Sequence, residues 1–134
     1  MAKASVSVRV PADADEVWDF IGDFARLDGW APGVAGCVCD GRDVGCVRTV
    51  ETADGRRRRE RLESLDEVGR SYSYSLLDEA AAPHCVATLK VWSERNGGAE
   101  VVWSVESADD GEAACREMEA LFRAALENVR SRFA

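Results

Sequence analysis

The chain has 134 residues, enough to bury a hydrophobic core without disulfide or metal staples. Its apolar fraction of 46% is that of an ordinary globular protein, while 31% charged residues leave a formal charge of −8. That balance argues against nucleic acid as a partner, since displacing phosphate counterions needs concentrated Lys and Arg, and the run Arg56 to Arg59 with Arg61 is the one contrary feature.

Ser5-Val6-Ser7-Val8-Arg9-Val10 places Val at every second position, which predicts a half-buried strand ended by Pro11. Asp13 with Glu16 three residues on predicts a helix start, and Val17, Trp18, Phe20 and Ile21 follow at helical spacing until Gly22. Phe24 to Leu27 supports one more helical turn before Asp28-Gly29-Trp30-Ala31-Pro32-Gly33 breaks it. Strands are then expected at Val34–Cys39, Cys46–Thr52, Arg57–Ser64, Tyr72–Leu76, Cys85–Ser93 and Val101–Ser107. Asp54-Gly55 and Asn96-Gly97-Gly98 supply the hairpin turns, because Gly accepts positive φ there.

From Asp110 to the last residue, Cys115, Met118, Leu121, Phe122, Ala125, Leu126, Val129 and Phe133 recur at three- and four-residue steps. A helix of about 20 residues is ~30 Å long, which crosses a whole sheet. Sequential hairpins make the strands antiparallel, so the expected class is α+β in a single domain over residues 1–134. A twisted sheet of about seven strands has to curl, and the last helix is the one element able to fill its concave face.

No stretch approaches the ~20 apolar residues of a membrane-spanning helix. Met1-Ala2-Lys3-Ala4-Ser5 has none of the apolar region of a secretory signal, so a cytoplasmic location is expected. The five cysteines then read as reduced, mostly buried thiols. Cys37-x-Cys39, Cys46 and the single His84 do not form the paired spacing of a zinc site, so neither metal nor cofactor is expected.

Val10-Pro11-Ala12-Asp13, Glu16-Val17-Trp18, Phe24 and Gly29-Trp30-Ala31-Pro32 resemble the START-like (SRPBCC, helix-grip) superfamily, in its polyketide cyclase/dehydrase-like branch. Gly45 to Val50, Glu60-Arg61-Leu62, Asp66, Ala87 to Val91 and Val101-Val102-Trp103 continue the likeness in order. The resemblance implies a curved sheet gripping the C-terminal helix around a cavity for a lipid, polyketide or similar compound. A more distant likeness, through Arg48, Glu60-Arg61-Leu62 and His84, is to the plant abscisic-acid receptors. Ala31 stands where those receptors have their pocket lysine, and the hormone role is not carried over.

Strand alternation predicts which side chains face inward, since i and i+2 share a face. Tyr72, Tyr74, Cys85 and Trp103, with Met118 and Phe122 from the helix and Trp30 at the mouth, are the expected ligand-binding residues. The alternative is that the same residues simply fill a solid core, against which the polar atoms of two tyrosines and a tryptophan facing inward each want a partner. Glu60 shares its face with Leu62, and Arg48 on the neighbouring strand is its obvious partner. The pair reads either as a polar anchor for ligand or as a buried ion pair. The run Arg56 to Arg59 reads as solvated charge guarding an edge strand.

Two functions lead, beside a protein-binding role at the cavity mouth that the resemblance permits and no residue singles out. One is a carrier or sensor of a hydrophobic small molecule; the other is a cyclase/dehydratase with Glu60 as base and Arg48 and Tyr74 as donors. An ion-paired Glu60 is the weaker base, and His84 is expected on a loop at the rim, so binding leads. Oligomeric state is not legible.

Overall fold

The computed structural model describes residues 2–77, 85–107 and 112–134. Asp110, Gly111 and His84 lie outside the described residues. Seven antiparallel strands form one sheet: β1 (Ala2–Val10), β2 (Val34–Cys39), β3 (Val47–Thr52), β4 (Arg57–Asp66), β5 (Ser71–Leu76), β6 (Cys85–Ser93) and β7 (Ala99–Ser107). Their order is β1-β7-β6-β5-β4-β3-β2, so every neighbour pair but β1–β7 is consecutive in the chain. Between β1 and β2 come helix α1 (Ala14–Ile21) and a 3-10 segment, Phe24–Gly29. Helix α2 (Glu112–Arg132) follows β7 and completes the helix-grip α+β fold.

Alternation in the sequence becomes alternation in burial. In β5, Tyr72, Tyr74 and Leu76 are buried while Ser71, Ser73 and Ser75 are only partly covered. In β6, Cys85, Ala87, Leu89 and Val91 face the core, and β7 matches them with Val101, Trp103 and Val105. The α2 stripe of Cys115, Met118, Phe122, Ala125, Leu126 and Val129 closes the concave side, packing mainly on β1 and β7. Leu121 and Phe133 are its partly buried margins.

Local chemistry sets the connections. The Asp13 carboxylate caps α1 by accepting from the Asp15 N–H at 3.2 Å, and Asp23 caps the 3-10 segment through the Ala25 N–H at 3.0 Å. Gly55 has φ +88°, the left-handed conformation that the β3–β4 turn needs. The arginine run is not on an edge strand as the sequence suggests: β4 pairs with β3 on one side and β5 on the other. Its charges are instead matched locally. Arg56 contacts Asp54 at 3.1 Å and Glu117 of α2 at 3.4 Å, and Arg57 lies 3.9 Å from Glu51.

Candidate functional site

Arg48 and Glu60 are direct partners across the β3–β4 ladder, and both side chains point into the concave face. Arg48 is fully buried and Glu60 is 4% exposed. Arg48 Nε donates to Glu60 Oε1 at 2.8 Å, and Nη1 donates to the Phe24 carbonyl at 2.8 Å. A longer contact of 3.5 Å joins Nη1 to the Tyr72 hydroxyl. Among the described residues, Arg48 Nη2 is one of three buried side-chain polar atoms without a hydrogen-bond partner, beside Trp30 Nε1 and Ser107 Oγ.

Aromatic rings box the guanidinium. Its Cζ lies 4.1 Å from the Phe24 ring centroid, 4.6 Å from that of Tyr74 and 5.7 Å from that of Tyr72. Cation–π attraction of this kind strengthens as water is removed. Burial alone would pull the Arg48 guanidinium down, but Glu60 and the two tyrosines outweigh it and hold the group above its ordinary value. Burial pushes both phenols up, Tyr74 well above the usual tyrosine range with Glu60 adding to the effect. Both tyrosines therefore stay neutral hydrogen-bond donors near neutral pH.

The rings expected to line a hollow touch one another. Trp103 stacks on Phe122 with centroids 4.0 Å apart and an 11° interplanar angle, and its Nε1 donates to the Tyr74 hydroxyl at 3.2 Å. Trp30, expected at the mouth, is buried in the interior with its ring 5.3 Å from Trp103. Asn128 of α2 fixes it there by donating to the Trp30 carbonyl at 2.8 Å. Trp30, Arg48, Glu60, Tyr72, Tyr74, Trp103 and Phe122 thus form one connected group. Cys85 lies three strands from Arg48 in sheet order, its thiol against that of Cys115. Met118 is buried beside Leu76 and borders a small opening of about 60 Å³ under Arg56 to Arg58.

A larger space adjoins this group. A cleft of about 410 Å³ opens between α1, the 3-10 segment and the β2–β3 and β4–β5 turns. Trp18, Phe24 and Leu62 form its buried floor, Cys46 and Leu65 its sides, and Asp19, Arg26, Arg42 and Glu67 its charged rim. Trp18 Nε1 donates to Glu67 Oε1 at 3.1 Å, which fastens the helix to the far turn. Phe24 links the two regions, since it lines the cleft and Arg48 lies over its ring. Sequence reading missed this cleft because it joins residues far apart in the chain. The available signal was Trp18, a large amphipathic ring on a short helix, whose N–H needs a partner when buried.

Among the described residues no group of three or more His, Cys, Asp or Glu is placed to hold a metal, and no helix is long and apolar enough to cross a membrane. The fold is widely shared by solved structures. XoxI from Bacillus cereus superposes with a TM-score of 0.87 at 23% identity, covering 99% of this chain and 96% of that one. An uncharacterised protein from Bacillus thuringiensis gives 0.83 at 24% identity over 98% of both chains. A protein from Thermobifida fusca gives 0.83 at 28% identity, covering 99% of this chain and 93% of its own. No curated protein matches the chain. The family model described as polyketide cyclase / dehydrase and lipid transport matches residues 1–134, and the chain belongs to that family.

Proposed function

We propose that this protein is a carrier or sensor of a hydrophobic small molecule bearing a polar oxygen, which enters by the cleft and is anchored on Arg48. The observation that carries the reading is Arg48 Nη2, a donor on a fully buried cation with no protein acceptor, set among aromatic rings. A buried donor left unmatched costs about 1–3 kcal/mol, more when charged, so an acceptor arriving on a ligand gains most of that back. The cleft volume falls within the range of small-molecule pockets, roughly 300–1,000 Å³. Phe24 both lines the cleft and packs against the guanidinium, so displacement of that ring is the route by which a ligand would reach Arg48. The cyclase/dehydratase alternative has a neutral donor in Tyr74, but its intended base, Glu60, is engaged with Arg48 through Oε1.

The test is fluorescence titration with the aromatic sulfonate 1-anilinonaphthalene-8-sulfonate, comparing the native chain with Arg48→Met/Glu60→Leu. That double variant exchanges the ion pair for apolar groups of similar volume, so the fold is kept. Saturable one-to-one binding, weakened roughly tenfold or more in the variant, is expected from loss of a charge-assisted bond. Equal affinity in both proteins, or no saturable binding to the native chain, overturns the reading.

A further inference from the structure

The β2–β3 hairpin carries chemistry that ligand binding does not use. Cys39, the last residue of β2, and Cys46, just before β3, point at each other with sulfurs 3.5 Å apart. The backbone fixes this meeting. Cys39 is the Cα partner of Arg48, the Asp40 N–H donates to the Val47 carbonyl at 3.0 Å, and the Val47 N–H donates to the Asp40 carboxylate at 2.8 Å. Both thiols are half-buried, and Cys46 borders the 410 Å³ cleft, which gives a small solute a path to it.

The other cysteines differ. Cys85 and Cys115 also adjoin, but both are buried in the core, Cys115 on the inner face of α2. Cys37, on the same strand as Cys39, has its thiol against the backbone of Leu27.

We infer that Cys39 and Cys46 are a dithiol modification site, converted to an intramolecular disulfide by a hydroperoxide. One sulfur, as thiolate, attacks the peroxide and breaks the O–O bond, giving a sulfenic acid and releasing the alcohol. The second sulfur displaces the hydroxyl from the first as water. Overall two thiols and one hydroperoxide give one S–S bond, one alcohol and one water. The two electrons leave the sulfurs, and the two thiol protons end on the alcohol and the water. Two sulfurs already in contact need only small rotamer changes to bond, whereas a sulfenic acid without a neighbouring thiol proceeds to irreversible oxidation. Burial, and then Cys39 beside it, pushes the Cys46 thiol up to about 11, so Cys46 rests as the thiol at neutral pH and its own attack on oxidant is slow.

The experiment treats the native full-length chain with hydrogen peroxide and reads intact mass and tryptic peptides. The expected product has lost two hydrogens and links the peptide 27–42 to the peptide 43–48. Dithiothreitol reverses it, Cys37→Ser leaves it intact, and Cys39→Ser abolishes it. Independent oxidation of Cys39 and Cys46 to sulfinic acids overturns the inference. So does a bridge that maps to Cys85 and Cys115 or between two molecules while Cys39 and Cys46 stay free. None of these outcomes depends on whether the cleft binds a ligand.

Discussion

Arg48 and Glu60 face each other as Cα partners on β3 and β4, and the guanidinium meets the carboxylate at 2.8 Å out of contact with water. Desolvating two charges costs several kcal/mol per ion, and their attraction offsets this only while both are present. Replacing Arg48 alone by Met is therefore expected to destabilise the fold by about 3–5 kcal/mol. Arg48→Met/Glu60→Leu is expected to lose far less, because no buried charge is stranded. Urea denaturation of the two singles and the double, closed as a cycle, measures this. A double variant as unstable as the singles combined would mean the residues do not act as a pair.

The chain has two tyrosines, Tyr72 and Tyr74, and both are buried with phenols pushed above their ordinary value of 10.0. A group whose folded pKa is raised holds its proton more tightly in the native state. Its stabilising contribution is present in full below the unfolded value and is lost as pH rises from there through the folded value. The urea midpoint should stay level as far as these groups are concerned up to about pH 10, then fall, each tyrosine adding a slope of up to ~1.4 kcal/mol per pH unit. Tyrosinate absorbance at high pH should appear together with the loss of far-ultraviolet circular dichroism. Ionisation while the fold is intact would contradict the burial of these rings.

Much of this was legible from periodicity. Tyr72, Tyr74 and Leu76 alternate with serines, and a strand with one buried face has little choice of register. The Arg48–Glu60 pair was readable for the same reason, since Asp54-Gly55 fixes the hairpin and the hairpin fixes who opposes whom. What sequence could not give was depth and position across the sheet. Trp30 was expected at the mouth, yet Asn128, 98 residues later, holds its backbone carbonyl and its ring is buried. The arginines of β4 looked like edge protection because strand order is a global property that local alternation does not encode. The cleft was invisible for a related reason: α1 and two turns from separate hairpins have to be assembled before it exists.

Phe24 lines the cleft and packs against Arg48, so its size should govern access rather than anchoring. In Phe24→Leu the guanidinium keeps its bond to the carbonyl of residue 24, which is backbone, while the flat ring is lost. The naphthalene sulfonate probe is expected to associate faster by stopped-flow fluorescence. Its affinity should still depend on Arg48 when the two changes are combined. Stability should fall by about 1–2 kcal/mol from lost packing and cation–π contact. An unchanged association rate would show that ligand does not pass Phe24.

Gly22 tests the cleft from the helix side. Its φ of −80° and ψ of −5° suit any residue, so Gly22→Ala carries no backbone strain and should gain about 0.4–1 kcal/mol from a stiffer unfolded chain. Space decides the opposite sign. An added Cβ would lie 2.5 Å from the Trp18 ring and 2.7 Å from the Trp18 carbonyl oxygen. The ring cannot yield freely, because its Nε1 is tied to Glu67 and the Tyr72 ring sits tilted beside it, centroids 6.1 Å apart. The clash should win, with a net loss of about 1–3 kcal/mol, typical of overpacking. Trp18→Leu in the same chain removes the obstructing indole and should recover part of that loss. Urea melts of Gly22→Ala, Trp18→Leu and the combination give the coupling, and additive losses would mean that Trp18 does not stand over Gly22.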